Sequence, residues 1–217
     1  MATEIKTINL GGVNCYLLTA GSGFILIDTG FSSRRAFLDK ELARAGVRPG
    51  NLSLILLTHG DSDHAENSVY LREKYDAPIA MHPGDSKMVE NGDMNWNRKP
   101  KADKISAPFR IMMKLINSRN KPGSFNTFTP DIYVEDGQLL DAYGLDAQVL
   151  HLPGHSKGSI GILTASGELI CGDMFYNFAG FQYIDDLADY EGSIEKLKKL
   201  QIAMVYPGHG KAFRMRA

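Results

Sequence analysis

The run His59-Gly60-Asp61-Ser62-Asp63-His64 constrains this chain more than any other feature. It follows the apolar stretch Leu52-Ser53-Leu54-Ile55-Leu56-Leu57-Thr58, which reads as a strand buried on both faces. Four metal-capable side chains therefore fall within six positions, at the end of a core strand. His59, Asp61 and Asp63 alternate and can project to one side of an extended loop, with His64 beside them. Imidazoles and carboxylates crowded in this way repel or desolvate one another unless a cation joins them. The competing reading is a polar turn in which Asp and His cap the next helix.

Three further motifs weigh against a mere turn. They are Leu152-Pro153-Gly154-His155-Ser156, Ile170-Cys171-Gly172-Asp173 and Val205-Tyr206-Pro207-Gly208-His209-Gly210. Each has an apolar approach, a glycine at which the backbone turns tightly, and then one His or Asp. A lone Pro-Gly-His is a common turn. Four ligand-type motifs in 217 residues form a pattern.

Together these residues resemble the metallo-β-lactamase superfamily. The resemblance runs from Asn14-Cys15-Tyr16-Leu17-Leu18 and Ile25-Leu26-Ile27-Asp28-Thr29-Gly30 to Pro207-Gly208-His209-Gly210. It implies two adjacent metal sites. His59, Asp61 and His155 would hold the first ion, Asp63, His64 and His209 the second, and Asp173 would bridge them together with a water or hydroxide. Asp63 would also orient that nucleophile, and Asp28 would hold the loop by hydrogen bonds without touching metal. Two cations about 3.5–4 Å apart lower the pKa of a shared water enough to attack a carbonyl near neutral pH. The chain departs from the family's His-x-His-x-Asp-His signature in one place, since Asp61 stands where the second His stands. A carboxylate there adds negative charge and hardens the ligand set, so zinc still fits while iron and manganese compete better. Tyr176, three residues after Asp173, matches a tyrosine of the lactonase branch and would donate to a developing oxyanion; packing is the alternative.

The resemblance implies a metal-dependent hydrolase that uses a metal-bridging hydroxide on an ester, thioester or lactone. Two alternatives stand beside it: an iron-dependent oxidoreductase of the flavodiiron or persulfide-dioxygenase type, and a non-catalytic metal-binding protein. His82 and His151 read as structural residues. Cys15 and Cys171 lie in apolar surroundings and read as reduced core thiols.

Net charge is −1, from 24 Lys and Arg against 25 Asp and Glu, which gives no electrostatic case for nucleic acid or an anionic membrane. No stretch approaches the roughly 18 apolar residues of a membrane span. The first residues lack an apolar signal segment, so the expected location is the cytoplasm and the expected partner a small-molecule substrate.

Periodicity gives α/β with mixed sheets; the family implies an αββα sandwich of two mixed sheets with outer helices. Strands are expected at Ile5–Leu10, Asn14–Thr19, Gly23–Asp28, Leu52–Thr58, Pro78–Met81, Ile132–Val134, Gln138–Leu140, Gln148–Leu152, Ser159–Thr164, Glu168–Cys171 and Ala203–Tyr206. Helices are expected from Ser32 or Ser33, as cap, to Ala45 with Gly46 as stop, from Ala65 to Tyr75, and over Glu191–Leu200. The expected organisation is a single domain over 1–217 with a lid inserted at about 91–130. That segment carries Arg98, Lys99, Lys101, Lys104, Arg110, Lys114, Arg119 and Lys121, and an apolar stretch Phe109–Ile116 that reads as one helix. It is either a basic, Met-rich lid selecting an acidic substrate with an apolar part, or a cap packed on its own domain or on a second copy in a homodimer.

Overall fold

A computed structural model describes residues 3–111, 127–178 and 180–215. Its strands are β1 (Ile5–Asn9), β2 (Asn14–Ala20), β3 (Gly23–Ile27), β4 (Leu52–Leu56), β5 (Ile79–Met81), β6 (Lys104–Ile105), β7 (Ile132–Tyr133), β8 (Ala147–His151), β9 (Ile160–Thr164), β10 (Glu168–Ile170), β11 (Tyr176–Asn177), β12 (Tyr183–Ile184), β13 (Met204–Tyr206), β14 (His209–Gly210) and β15 (Phe213–Arg214). The longer helices are α1 (Arg35–Arg44), α2 (Ser62–Ala65), α3 (Ser68–Tyr75), α4 (Pro83–Asn91) and α5 (Leu187–Leu197).

Two mixed sheets form the centre. One has the order β1-β2-β3-β4-β5-β7, the other β15-β13-β10-β9-β8. Period-two alternation divides each strand between two cores. In the first sheet Leu17, Leu26 and Ile55 meet Leu38 and Leu42 of α1 and Leu71 and Tyr75 of α3. Their neighbours Tyr16, Leu18, Ile25, Ile27, Leu54 and Leu56 face the second sheet, against Val149, Ile160, Ile162 and Ile170. On that sheet's other side Leu150, Leu163, Leu169 and Val205 pack with Leu197 of α5. Three apolar layers between four structural layers make the αββα sandwich that the sequence implies. No helix of the described residues is long and apolar enough to cross a membrane.

Several elements differ from expectation, each for a local reason. Ser32 and Ser33 do not cap α1: a short 3-10 turn over Ser32–Arg34 comes first, and Ser32 N and Oγ bond Glu66 at 2.8 and 2.7 Å. The helix after the metal-type loop breaks at Glu66–Asn67, where buried Asn67 donates through Nδ2 to the carbonyls of Thr29, Gly30 and Phe31. Gln138–Leu140 is no strand; it meets β8 through the single bridge Leu139–Gln148 before turning into the 3-10 segment Asp141–Tyr143. Helix α5 starts earlier than Glu191, because Asp186 caps it by accepting from the N–H groups of Ala188 and Asp189.

Helix α4 is absent from the sequence reading, although Pro83 at its first turn and Gly92 in the left-handed conformation at its end are both helix signals. Its cap is His82, whose Nδ1 accepts from Gly84 N at 3.1 Å, and whose ring stacks on His151 at 4.0 Å between centroids. Both are structural residues, as expected. Burial first, and then His151, lower the His82 pKa to about 4. A depressed imidazole stabilises the fold above its unfolded value near 6.5, and this contribution is lost as pH falls from there through about 4. His82→Asn keeps a capping acceptor that does not titrate. Its melting temperature should therefore fall less steeply between pH 6.5 and 4 than that of the parent; parallel curves would remove His82 from the acid response.

The described part of the 91–130 segment packs along residues 182–187. Lys99 N and Asp103 N bond Asp185, and β6 pairs antiparallel with β12. The proposed helix Phe109–Ile116 is helical as far as residue 111; Met112, Met113, Lys114, Arg119 and Lys121 lie outside the described residues.

Candidate metal centre

The four motifs converge at one edge of the sandwich, where chain leaves β4, β8, β10 and β13. Strand β4 delivers His59 to α2, which carries Asp63 and His64. The turn between β8 and β9 presents His155. The 3-10 turn after β10 presents Asp173, and β14 presents His209. Ring centroids of His59 lie 4.1 Å from His64 and 4.7 Å from His155, and those of His64 and His209 are 5.5 Å apart.

Outer partners fix the orientation of every ring. Asp28 adopts φ 59°, a left-handed conformation uncommon outside glycine, and this aims its carboxylate at both Thr58 and His64. It accepts from Thr58 N at 2.8 Å, from Thr58 Oγ1 at 2.8 Å and from His64 Nδ1 at 2.8 Å. Thr58 has spent its proton on Asp28, so its 2.9 Å contact with His59 Nδ1 runs from ring to hydroxyl. His209 Nδ1 donates to Gly12 O at 2.7 Å. Tyr176 donates to Asp173 Oδ2 at 2.8 Å, so the 3.3 Å contact with His155 Nδ1 again runs from the ring. In all four imidazoles the outer nitrogen is a donor and Nε2 faces inward.

Those inward atoms meet carboxylates. His209 Nε2 is 3.3 Å from Asp63 Oδ2 and 3.3 Å from Asp173 Oδ2, and His64 Nε2 is 3.4 Å from Asp173 Oδ1. Two groups have ligand atoms all within 4.8 Å of one another: His59, His155 and Asp173, and Asp63, His64 and His209. His59 Nε2, His64 Nε2 and Asp173 Oδ1 are buried with no hydrogen-bond partner. Buried lone pairs left bare in one place cost several kcal/mol unless a cation takes them, so the donor set fits a divalent metal ion. Glycine clears the space: a Cβ on Gly208 would stand 2.3 Å from Asp173 Oδ1.

The field is that of a cation site. Burial opposes charge on His64, yet Asp28, Asp63 and Asp173 hold its pKa well above the imidazole range. His209 rises to about 10, with burial again opposing and Asp173 and Asp63 prevailing. Burial lowers His155. Desolvation works against the charge on Asp173, but His209 and His64 keep it well below the usual carboxylate range. A proton and a metal ion compete for the same lone pairs, and these carboxylates favour either. Burial and then Asp173 push the Tyr176 phenol well up, so it stays a donor.

Asp61 departs from its expected company. It lies 3.5 Å from His59 Nε2 and 3.1 Å from His155 Nε2, but both its oxygens accept from Arg98, at 2.8 and 2.9 Å. The sequence shows Arg98 only as one of several cations in a basic segment; nothing local marks it as the one that enters. Asp85 was missed altogether. It is fully buried at the start of α4, where it accepts from Gly60 N, Ser156 Oγ and Gly158 N at 3.1, 2.5 and 2.7 Å. It thereby ties the His59 loop to the His155 loop. A wall of aromatics flanks the centre: Phe109 lies 6.2 Å from Tyr176, 5.9 Å from Phe181 and 5.6 Å from Tyr183 between centroids.

Residues 8–209 match the model of a known family, described as the metallo-beta-lactamase superfamily. A probable metallo-hydrolase of Methanocaldococcus jannaschii is 28% identical over 91% of this chain and 87% of its own length. An acyl-coenzyme A thioesterase of Bos taurus is 24% identical over 92% of this chain and 74% of its own. Among solved structures, TTHA1623 in a di-iron-bound form has a TM-score of 0.68 at 25% identity, over 97% of this chain and 94% of that one.

Proposed function

This chain belongs to the metallo-beta-lactamase superfamily and is a metal-dependent hydrolase; from that premise we propose that it cleaves an ester, thioester or lactone, with a thioester as first choice. The observation that carries the proposal is the convergence of four inward Nε2 atoms on Asp63 and Asp173 beside an aromatic wall. The thioesterase named among the relatives supports the bond class.

In this reading His59, His155 and Asp173, with Asp61 beside them, hold one divalent ion, and Asp63, His64 and His209 hold another, zinc being the first candidate. Bound metal supplies a Lewis acid and a water of lowered pKa. The chain's own residues do the rest. Asp63 is the most open of the three carboxylates, its side chain 22% exposed against 12% for Asp61 and 5% for Asp173, so it is the one that can accept a proton from an attacking water. Tyr176 holds its proton and turns it from Asp173 toward the oxygen on which charge develops. Phe109, Phe181 and Tyr183 seat the apolar part of the acyl group and exclude water from it.

The test is a panel of acyl-coenzyme A thioesters, aryl esters and lactones, assayed before and after chelation. Chelation is expected to cut turnover to about 1% or less, and zinc to restore it. Full turnover in metal-free protein, or none on any member of the panel after metal is restored, would overturn the proposal. Iron is the second candidate metal, since the similar TTHA1623 structure holds a di-iron centre. Iron-loaded protein that consumes oxygen would bring the oxidoreductase reading forward.

A further inference from the structure

The two halves of the centre are not alike. In one, Asp63, His64 and His209 bring their ligand atoms within 4.8 Å of one another. In the other, a side chain is already present. Arg98 Nη2 lies 2.8 Å from Asp61 Oδ1, 2.9 Å from Asp61 Oδ2 and 3.2 Å from His155 Nε2. One nitrogen carrying two protons thus serves three acceptor atoms, all on Asp61 and His155, two residues of the ligand set implied for the first ion. The guanidinium is 10% exposed and lies over the Tyr183 ring at 5.2 Å. Lys99, the next cation in the chain, instead pairs outward with Asp103 and Asp186.

We infer that Arg98 is a resident cation of the Asp61 half of the centre, so that the two metal positions load in sequence and the Asp61 half accepts a divalent ion only when Arg98 withdraws. The inference rests on the metal-dependent reading above.

The physical argument has two parts. The His155 Nε2 lone pair can accept an Arg98 N–H or bind a metal at about 2.1 Å, but not both. A divalent ion there would also stand against a fixed positive charge in a buried, water-poor place, where like charges repel strongly. Among the described residues, no Lys or Arg pairs with Asp63. Asp61 thereby has a role that an imidazole in its position would not fill, since only a carboxylate balances a guanidinium. Asp61→His alone would leave Arg98 facing two imidazoles.

Zinc titration of metal-free protein, followed calorimetrically and by elemental analysis, tests this. The parent is expected to bind one zinc tightly and a second at least about a hundredfold more weakly. Arg98→Gln keeps the length and polarity of the side chain but removes the charge. It should tighten the second equivalent by about tenfold or more and leave the first unchanged, while Arg98→Lys should resemble the parent. Far-ultraviolet circular dichroism checks that both variants fold. Two equally tight ions in the parent, or no change in the second equivalent on Arg98→Gln, would overturn the inference and leave the hydrolase reading standing. No zinc, iron or manganese bound by any of the proteins would overturn both.

Discussion

Asp63→Ala is expected to lower hydrolysis by about 10³-fold or more while the protein stays folded. Asp63 is the most exposed carboxylate of the centre, with Oδ2 3.3 Å from His209 Nε2 and 3.8 Å from His64 Nε2. Burial opposes its charge, but His64 and His209 lower its pKa, so it is ionised at neutral pH and available as an acceptor. Its removal takes a ligand from one metal position and the proton acceptor from the attacking water. The fold should tolerate it, because Asp63 is partly exposed and also repels Asp173. Asp63→Asn keeps an oxygen donor without the charge and should retain more metal than activity. The measurement is kcat/KM alongside bound metal and melting temperature. Parent-like turnover in Asp63→Ala would refute the assigned role.

Asp85→Ala should be the most destabilising single change near the centre, by about 3–5 kcal/mol, which corresponds to a drop of roughly 10 °C in melting temperature for a chain of this size. Its two oxygens satisfy the N–H groups of Gly60 and Gly158 and the hydroxyl of Ser156, and Asn97 reaches it at 3.4 Å. The donors on Gly60, Gly158 and Ser156 are buried, so removing the acceptor orphans three at once. The backbone packs closely here: a Cβ on Gly158 would lie 2.4 Å from Asp85 N. Because the same carboxylate ties the His59 loop to the His155 loop, metal affinity should fall along with stability. Asp85→Asn turns one acceptor into a donor facing donors and should recover little. A melting temperature within a degree or two of the parent would show that water or another side chain replaces the carboxylate.

The strands were legible because their signal is local. Leu52–Leu57 is apolar but for Ser53, and β4 is covered on both faces, by Leu38 and Leu42 on one side and Ile160 and Ile162 on the other. The ligand-type residues were legible for a related reason: each follows a strand end, where a glycine allows the chain to turn and present one side chain. Seven of them, His59, Asp61, Asp63, His64, His155, Asp173 and His209, do meet at one edge of the sandwich. The Gln138–Leu140 strand and the unbroken helix from Ala65 were misjudged where a tertiary contact decided the outcome. Asn67, for example, breaks the helix to bond three carbonyls more than thirty residues earlier in the chain.

By itself, then, the sequence determined an α/β chain of mixed sheets and the residue types that gather at strand ends, because hydrophobic period and turn chemistry act over a few neighbours; the sandwich came from the resemblance to a known family. Only the tertiary structure decided that every Nε2 points inward, that Asp85 joins two loops, and that Arg98, alone of the basic segment's described residues, reaches Asp61 across 37 positions. Such partners are chosen by distance in space and by the need to satisfy buried charge, and neither leaves a periodic trace along the chain.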